Sequence, residues 1–119
     1  MTQFPDDLDP RLVERLISSG GGELTSKMGI TFLKITAEES IATMPVEGNR
    51  QVVGILHGGA HVVLAESLGS LSAAVHGGPD RVAVGIEINA VIPNPSVAGS
   101  SLEPVGRCPW EGACASVKS

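Results

Sequence analysis

The chain has 119 residues, enough for one domain and too few for two. Apolar residues make up 42% and charged residues 18%, the balance of a globular protein rather than a disordered one. A net charge of −5 without a Lys/Arg cluster argues against nucleic acid and anionic membrane surfaces as partners.

Asp9-Pro10 opens a short predicted helix through Ile17, with Asp9 as N-cap and Leu12, Leu16 and Val13 as its apolar stripe. Ser18 to Gly22 is expected to be a flexible stop. Gly29 to Ile35 and Ser40 to Met44 are β-rich runs joined at Ala37-Glu38-Glu39, which predicts a hairpin. Pro45 ends the second run, and Glu47-Gly48-Asn49 reads as a turn. The apolar segment from Ala60 to Val75 is too long for a strand and predicts a buried helix, stopped by Gly77-Gly78-Pro79-Asp80. Val82 to Ile88 predicts a strand, with Val82, Val84, Ile86 and Ile88 on one face. No apolar stretch reaches the ~18 residues of a membrane span, and the acidic start (Asp6, Asp7, Asp9) lacks the order of a signal peptide. Two cysteines do not make a disulfide framework, so the cytoplasm is the expected compartment. Aromatics are 3% with no tyrosine, a thin supply for a core, and such small domains often complete their burial against another subunit.

Chemistry concentrates in Gln51, His57, Gly58, Glu66 and Ser70. Gly58 and Gly59 stand where the long helix begins, so their N–H groups are expected to lack intrahelical partners and to suit an oxyanion. Glu66 lies among Leu64, Ala65 and Leu68, where a carboxylate costs stability unless it is paired or used. Ser70, one turn on, can hydrogen-bond Glu66 or hold a water beside it. Plainer readings stand beside these: a tight strand-to-helix turn at the glycines, Glu66 paired to Arg50 or Arg81, and His57 as a capping or packing residue. His57 and His61 share the i, i+4 spacing of a metal pair, but no third ligand accompanies them and no metal is expected. Cys108 and Cys114 are not spaced as a zinc knuckle. Gly58 and Glu66 lie about 12 Å apart along one helix, too far to act on the same carbonyl. If both act on one bond, they come from two antiparallel helices in different subunits, which predicts a dimer.

Four stretches carry a resemblance to a known family: Ala42-Thr43-Met44-Pro45-Val46, Gly54-Ile55-Leu56-His57-Gly58-Gly59, Leu64-Ala65-Glu66-Ser67-Leu68-Gly69-Ser70, and Val84-Gly85-Ile86-Glu87-Ile88-Asn89-Ala90. Over residues 28 to 90 the chain resembles the hotdog-fold acyl-CoA thioesterases of the phenylacetate (PaaI) type. Within that family it is most similar to the branch of 1,4-dihydroxy-2-naphthoyl-CoA hydrolase and the Arthrobacter-type 4-hydroxybenzoyl-CoA thioesterase. The resemblance implies an α+β hotdog fold, a curved antiparallel sheet wrapped around a long central helix, paired as a dimer and often a tetramer. It implies hydrolysis of an aryl- or fatty-acyl-CoA, with Glu66 as nucleophile or general base and Gly58 as oxyanion donor. Gln51 and His57 would orient the thioester carbonyl, and Ser70 would position the water or the carboxylate. No metal or redox cofactor is implied, since coenzyme A is part of the substrate.

The tail departs from the family. Residues 91 to 119 hold four of the eight prolines, both cysteines and the single tryptophan, without a sustained period. Where the family continues into its last strands, this chain has Val91-Ile92-Pro93-Asn94-Pro95. Back-translated, Val91 to Pro104 can be encoded so that another frame carries H, S, R, G, V and G in the family's order. The expectation is therefore a single hotdog domain over 1–119, family-like over 28–90, with 91–119 an out-of-frame tail and the C-terminal strands missing or altered. A genuinely divergent C-terminus is the alternative. A dehydratase on the same fold fits the HGG-to-AES spacing less well than hydrolysis does. A catalytically dead fragment, or an acyl-CoA binding module without turnover, is the non-enzymatic alternative.

Overall fold

The computed structural model describes residues 2–89 and the backbone of 105–107; the out-of-frame reading of 91–119 otherwise lies outside the described residues. Helix α1 spans Pro10–Ser19. Asp9 caps it as the sequence predicts, its carboxylate accepting the Arg11 N–H at 2.8 Å, and Leu12 and Leu16 are its buried face. The stop that follows begins later than expected, because α1 runs on through Ser18 and Ser19, and after Gly22 the chain forms a second, five-residue helix, α2 (Glu23–Lys27), that the sequence did not predict. No apolar period can be read over five residues, and the Gly-rich approach masks the element further.

Strands β1 (Thr31–Ile35) and β2 (Glu39–Thr43) form the expected antiparallel hairpin, with a bulge between Phe32 and Lys34. Gln3 pairs with Lys34 on the outer side of β1, its N–H donating to the Leu33 carbonyl at 2.9 Å. The backbone of Val105–Arg107 adds a short strand, β3, antiparallel to β2, so the order is β1-β2-β3. The irregular tail gave no sign of this strand.

Helix α3, Gly58–Gly77, is the long element that the sheet packs against. Its sheet side sets Ala60, Leu64 and Leu68 against Ala42 and Met44 of the β2 run, with Ile30, Val46 and Leu56 closing the cluster. Complete burial of Leu64 and Leu68 stabilises this packing by about 1.5–3 kcal/mol each. A polar contact crosses the same interface, Ser40 Oγ to Ser72 Oγ at 2.5 Å, and both residues are buried. Among the described residues no helix is long and apolar enough to cross a membrane.

Residues 82–88 depart from expectation. They keep the alternating pattern but join no ladder, and Val82, Val84 and Ile86 are 80%, 75% and 96% exposed. Alternation marks a half-buried surface, yet a strand also needs a neighbour, and no described strand lies beside this one.

Candidate active site

Gln51, His57 and Gly58 gather at the N-terminal end of α3. The loop before the helix is closed by an Arg50–Leu56 bridge and by the His57 N–H donating to the Asn49 carbonyl at 2.8 Å. Between these ends the chain reverses in a turn, the Gly54 N–H donating to the Gln51 carbonyl at 3.0 Å. Gly54 has φ +88°, a left-handed conformation that a side chain resists. Gln51 Oε1 accepts the Val53 N–H at 2.9 Å, which leaves the Gln51 amide nitrogen as an outward donor.

His57 is the N-cap of α3. Its Nδ1 accepts the Gly59 N–H at 2.8 Å, and its carbonyl accepts the Ala60 N–H at 2.9 Å. Two consequences follow. A ring that accepts at Nδ1 carries its proton on Nε2 when neutral, so the far edge of His57 is a hydrogen-bond donor. The expectation that both glycine N–H groups are open is corrected, since that of Gly59 is taken by the His57 ring. The Gly58 N–H has no partner among the described residues and sits at the positive end of a 20-residue helix.

Glu66 and Ser70 form the second group, about 12 Å further along α3. Ser70 Oγ donates to Glu66 Oε1 at 2.8 Å, the contact expected from their one-turn spacing. Glu66 is exposed rather than enclosed, which corrects the view of it as a carboxylate within an apolar surround. At 100° per residue, position 66 lies on the side of α3 opposite Leu64 and Leu68. The ion pairs to Arg50 or Arg81 are not formed; those of the described residues are Arg11–Asp9 and Lys34–Glu39.

Beside Glu66 lies a cavity of about 370 Å³, walled by Leu24 of α2, Val62 and Val63 of α3, and Ile88. Sequence reading missed the contribution of α2, whose helical character was not seen. It also missed Gly85, over which the 81–89 segment approaches the Glu66 carboxylate. The glycine interrupting Val84-Gly85-Ile86 was the available signal, since glycine within a strand pattern often marks a close approach.

His61 is buried on α3 at 4% exposure, and its Nδ1 has no hydrogen-bond partner. Burial lowers its pKa and favours the neutral ring. No group of three or more potential metal ligands occurs among the described residues.

No family model matches the chain. A Deinococcus radiodurans protein named as an esterase is 48% identical over 69 residues, 57% of this chain and 43% of that protein. The 1,4-dihydroxy-2-naphthoyl-CoA hydrolase of Escherichia coli is 42% identical over 79 residues, 66% of this chain and 58% of the enzyme. The chain thus spans about half the length of the curated relatives it matches. Among solved structures, a mutant of the Pseudomonas aeruginosa thioesterase PA1618 superposes with TM-score 0.69 at 35% identity, covering 79% of this chain and 68% of that one. Identity at that level over two thirds of a thioesterase structure, with the helix-on-sheet architecture in common, decides the assignment: the chain belongs to the hotdog-fold thioesterases of the PaaI type.

Proposed function

We propose that the chain is an acyl-CoA thioesterase that hydrolyses an aryl- or fatty-acyl thioester in a site shared between two copies. The observation that carries the reading is the unclaimed Gly58 N–H, an oxyanion donor at a helix N-terminus, paired with a Ser70-bound carboxylate on the same helix. Their separation of about 12 Å calls for Gly58 of one copy and Glu66 of another. Two features favour association. The 82–88 segment exposes Val82, Val84 and Ile86 along an unpaired edge, and α3 is apolar on nearly every side.

In this reading the thioester carbonyl oxygen accepts the Gly58 N–H, with the His57 Nε2–H and the Gln51 amide as further donors that orient it. Glu66 takes a proton from a water molecule held beside Ser70, and the water oxygen attacks the carbonyl carbon. The tetrahedral intermediate collapses with cleavage of the C–S bond. The C–S electron pair leaves on the coenzyme A sulfur, which takes the proton held by Glu66 and departs as the thiol. The carboxylic acid product gives its own proton to solvent and departs as its anion, so the Glu66 carboxylate is regenerated. The cavity walled by Leu24, Val62, Val63 and Ile88 would receive the acyl group.

The test is thiol release from a panel of aryl- and fatty-acyl-CoAs by the wild type and by Glu66→Ala. Loss of a general base is expected to lower kcat by about 10²–10⁴-fold with ligand binding retained. Release unaffected by the substitution would remove Glu66 from the mechanism. Binding without turnover by the wild type would instead favour an acyl-CoA binding module. Light scattering on the same preparations is expected to give a dimer or tetramer, and a monomer that turns over would overturn the shared site.

A further inference from the structure

The segment that follows α3 is held at its start. Arg15 of α1 donates to the Pro79 carbonyl at 3.1 Å and to the Arg81 carbonyl at 3.2 Å. From there the chain crosses the side of α3 that faces away from the sheet, and Ile88 reaches the wall of the cavity beside Glu66. The crossing is tightest at Gly85. A Cβ at this position would stand 2.6 Å from Glu66 Oε1, 3.3 Å from Cγ and 3.4 Å from Cδ. The first distance is well inside van der Waals separation, so one of the two groups must move. The carboxylate is the free end of a flexible side chain, whereas Gly85 meets it through backbone, in a segment whose start Arg15 holds at Pro79 and Arg81. Glu66 would therefore yield, and the atom displaced first is the one that accepts the Ser70 hydroxyl at 2.8 Å.

We propose that Gly85 is a positioning residue for Glu66: its missing side chain lets the 81–89 segment lie over the carboxylate while Oε1 stays on Ser70. The proposal rests on the reading of Glu66 as the group that activates water. It assigns the glycine between two apolar residues to the site rather than to strand geometry.

The experiment is Gly85→Ala, examined by crystallography and kinetics. The Ser70–Glu66 separation is expected to open beyond hydrogen-bonding distance. kcat is expected to fall about 10–100-fold, as for a catalytic group misplaced by roughly 1 Å, with KM and the urea midpoint close to wild type. Gly77→Ala is the control, because a Cβ there meets Arg81 at an ordinary 3.6 Å, and its kcat is expected to be unchanged. A carboxylate one methylene shorter is expected to clear the added methyl, so Gly85→Ala is expected to cost nothing further in a Glu66→Asp background. An intact Ser70–Glu66 bond in Gly85→Ala, an equal further loss in the Glu66→Asp background, or failure of Gly85→Ala to fold would each overturn the proposal. If Glu66→Ala leaves thiol release unchanged, the catalytic reading fails by itself, and the crystallographic distance still decides whether Gly85 holds the carboxylate.

Discussion

On the sheet side of α3, Leu64 and Leu68 are 0% and 1% exposed and fill the space above β2; on the opposite side, Glu66 and Ser70 face outward and bond to each other. Two residues of separation turn the helix by about 200°, enough to place Leu64 in the core and Glu66 outside it. Among the described residues the sheet side packs its apolar groups against partners and joins its Ser40 and Ser72 hydroxyls, with the buried His61 Nδ1 as its unpartnered polar atom. The other side is covered in part by a segment whose own valines are exposed. One helix thus separates the work of holding the fold from the work of the site, and substitutions on its two sides should part accordingly.

The largest test of that separation is Leu64→Ala. Removing a fully buried leucine side chain is expected to destabilise the fold by about 2–5 kcal/mol, read as a lower urea midpoint at unchanged slope. Glu66→Ala, two residues away, is expected to change stability by less than about 0.5 kcal/mol while removing turnover. A large stability loss from Glu66→Ala would mean that the outward side is structural after all. The Ser40–Ser72 pair gives a smaller effect. Truncating Ser40 leaves the Ser72 hydroxyl buried without its partner and is expected to cost about 1–3 kcal/mol, whereas Ser72→Ala is expected to cost less, because Ser40 Oγ keeps its bond to the Thr36 carbonyl at 3.2 Å. The double substitution to alanine is expected to cost less than the sum of the two, and strict additivity would show that the hydroxyls do not depend on each other.

How legible each side was in the sequence follows the same division. Leu64 and Leu68 recur at helical spacing, and β1 and β2 carry β-rich runs with a turn between them, so the helix and the hairpin are legible in the sequence. The Asp9 cap and the Ser70–Glu66 bond were legible because each joins residues within one turn. What could not be read depends on contacts between distant parts of the chain. Gly85 meets Glu66 across 19 positions, and Leu24 shares a cavity wall with Val63 across a longer gap, with no local pattern recording either. The fate of the Gly59 N–H was hidden for another reason. In the sequence His57 reads equally as a capping residue and as a site residue, and it caps while its opposite ring nitrogen stays available. Residues 82–88 were misjudged because alternation states which face is apolar and not whether a partner strand is present.

The smallest effect sharpens the comparison through pH. His61, near the start of α3, is buried toward the sheet, and Glu66, further along the same helix, is exposed. Burial holds the His61 pKa below its ordinary 6.5, because the charged ring would lose its hydration. In the unfolded chain the same ring protonates as the pH falls through about 6.5. Between that pH and its lower folded value the unfolded state therefore binds more protons than the native state. Stability should then decline on acidification below about 6.5, with a slope of at most about 1.4 kcal/mol per pH unit from this one group. Above that pH the ring is neutral in both states and contributes no pH dependence. Urea unfolding at several pH values, comparing wild type with His61→Gln, isolates the contribution, since groups common to both chains cancel in the difference. The wild type is expected to lose stability more steeply than His61→Gln below pH 6.5, and the two curves are expected to run parallel above it. Parallel curves throughout would mean that His61 accepts a proton in place, and that the sheet side of α3 is open to water where the packing makes it closed.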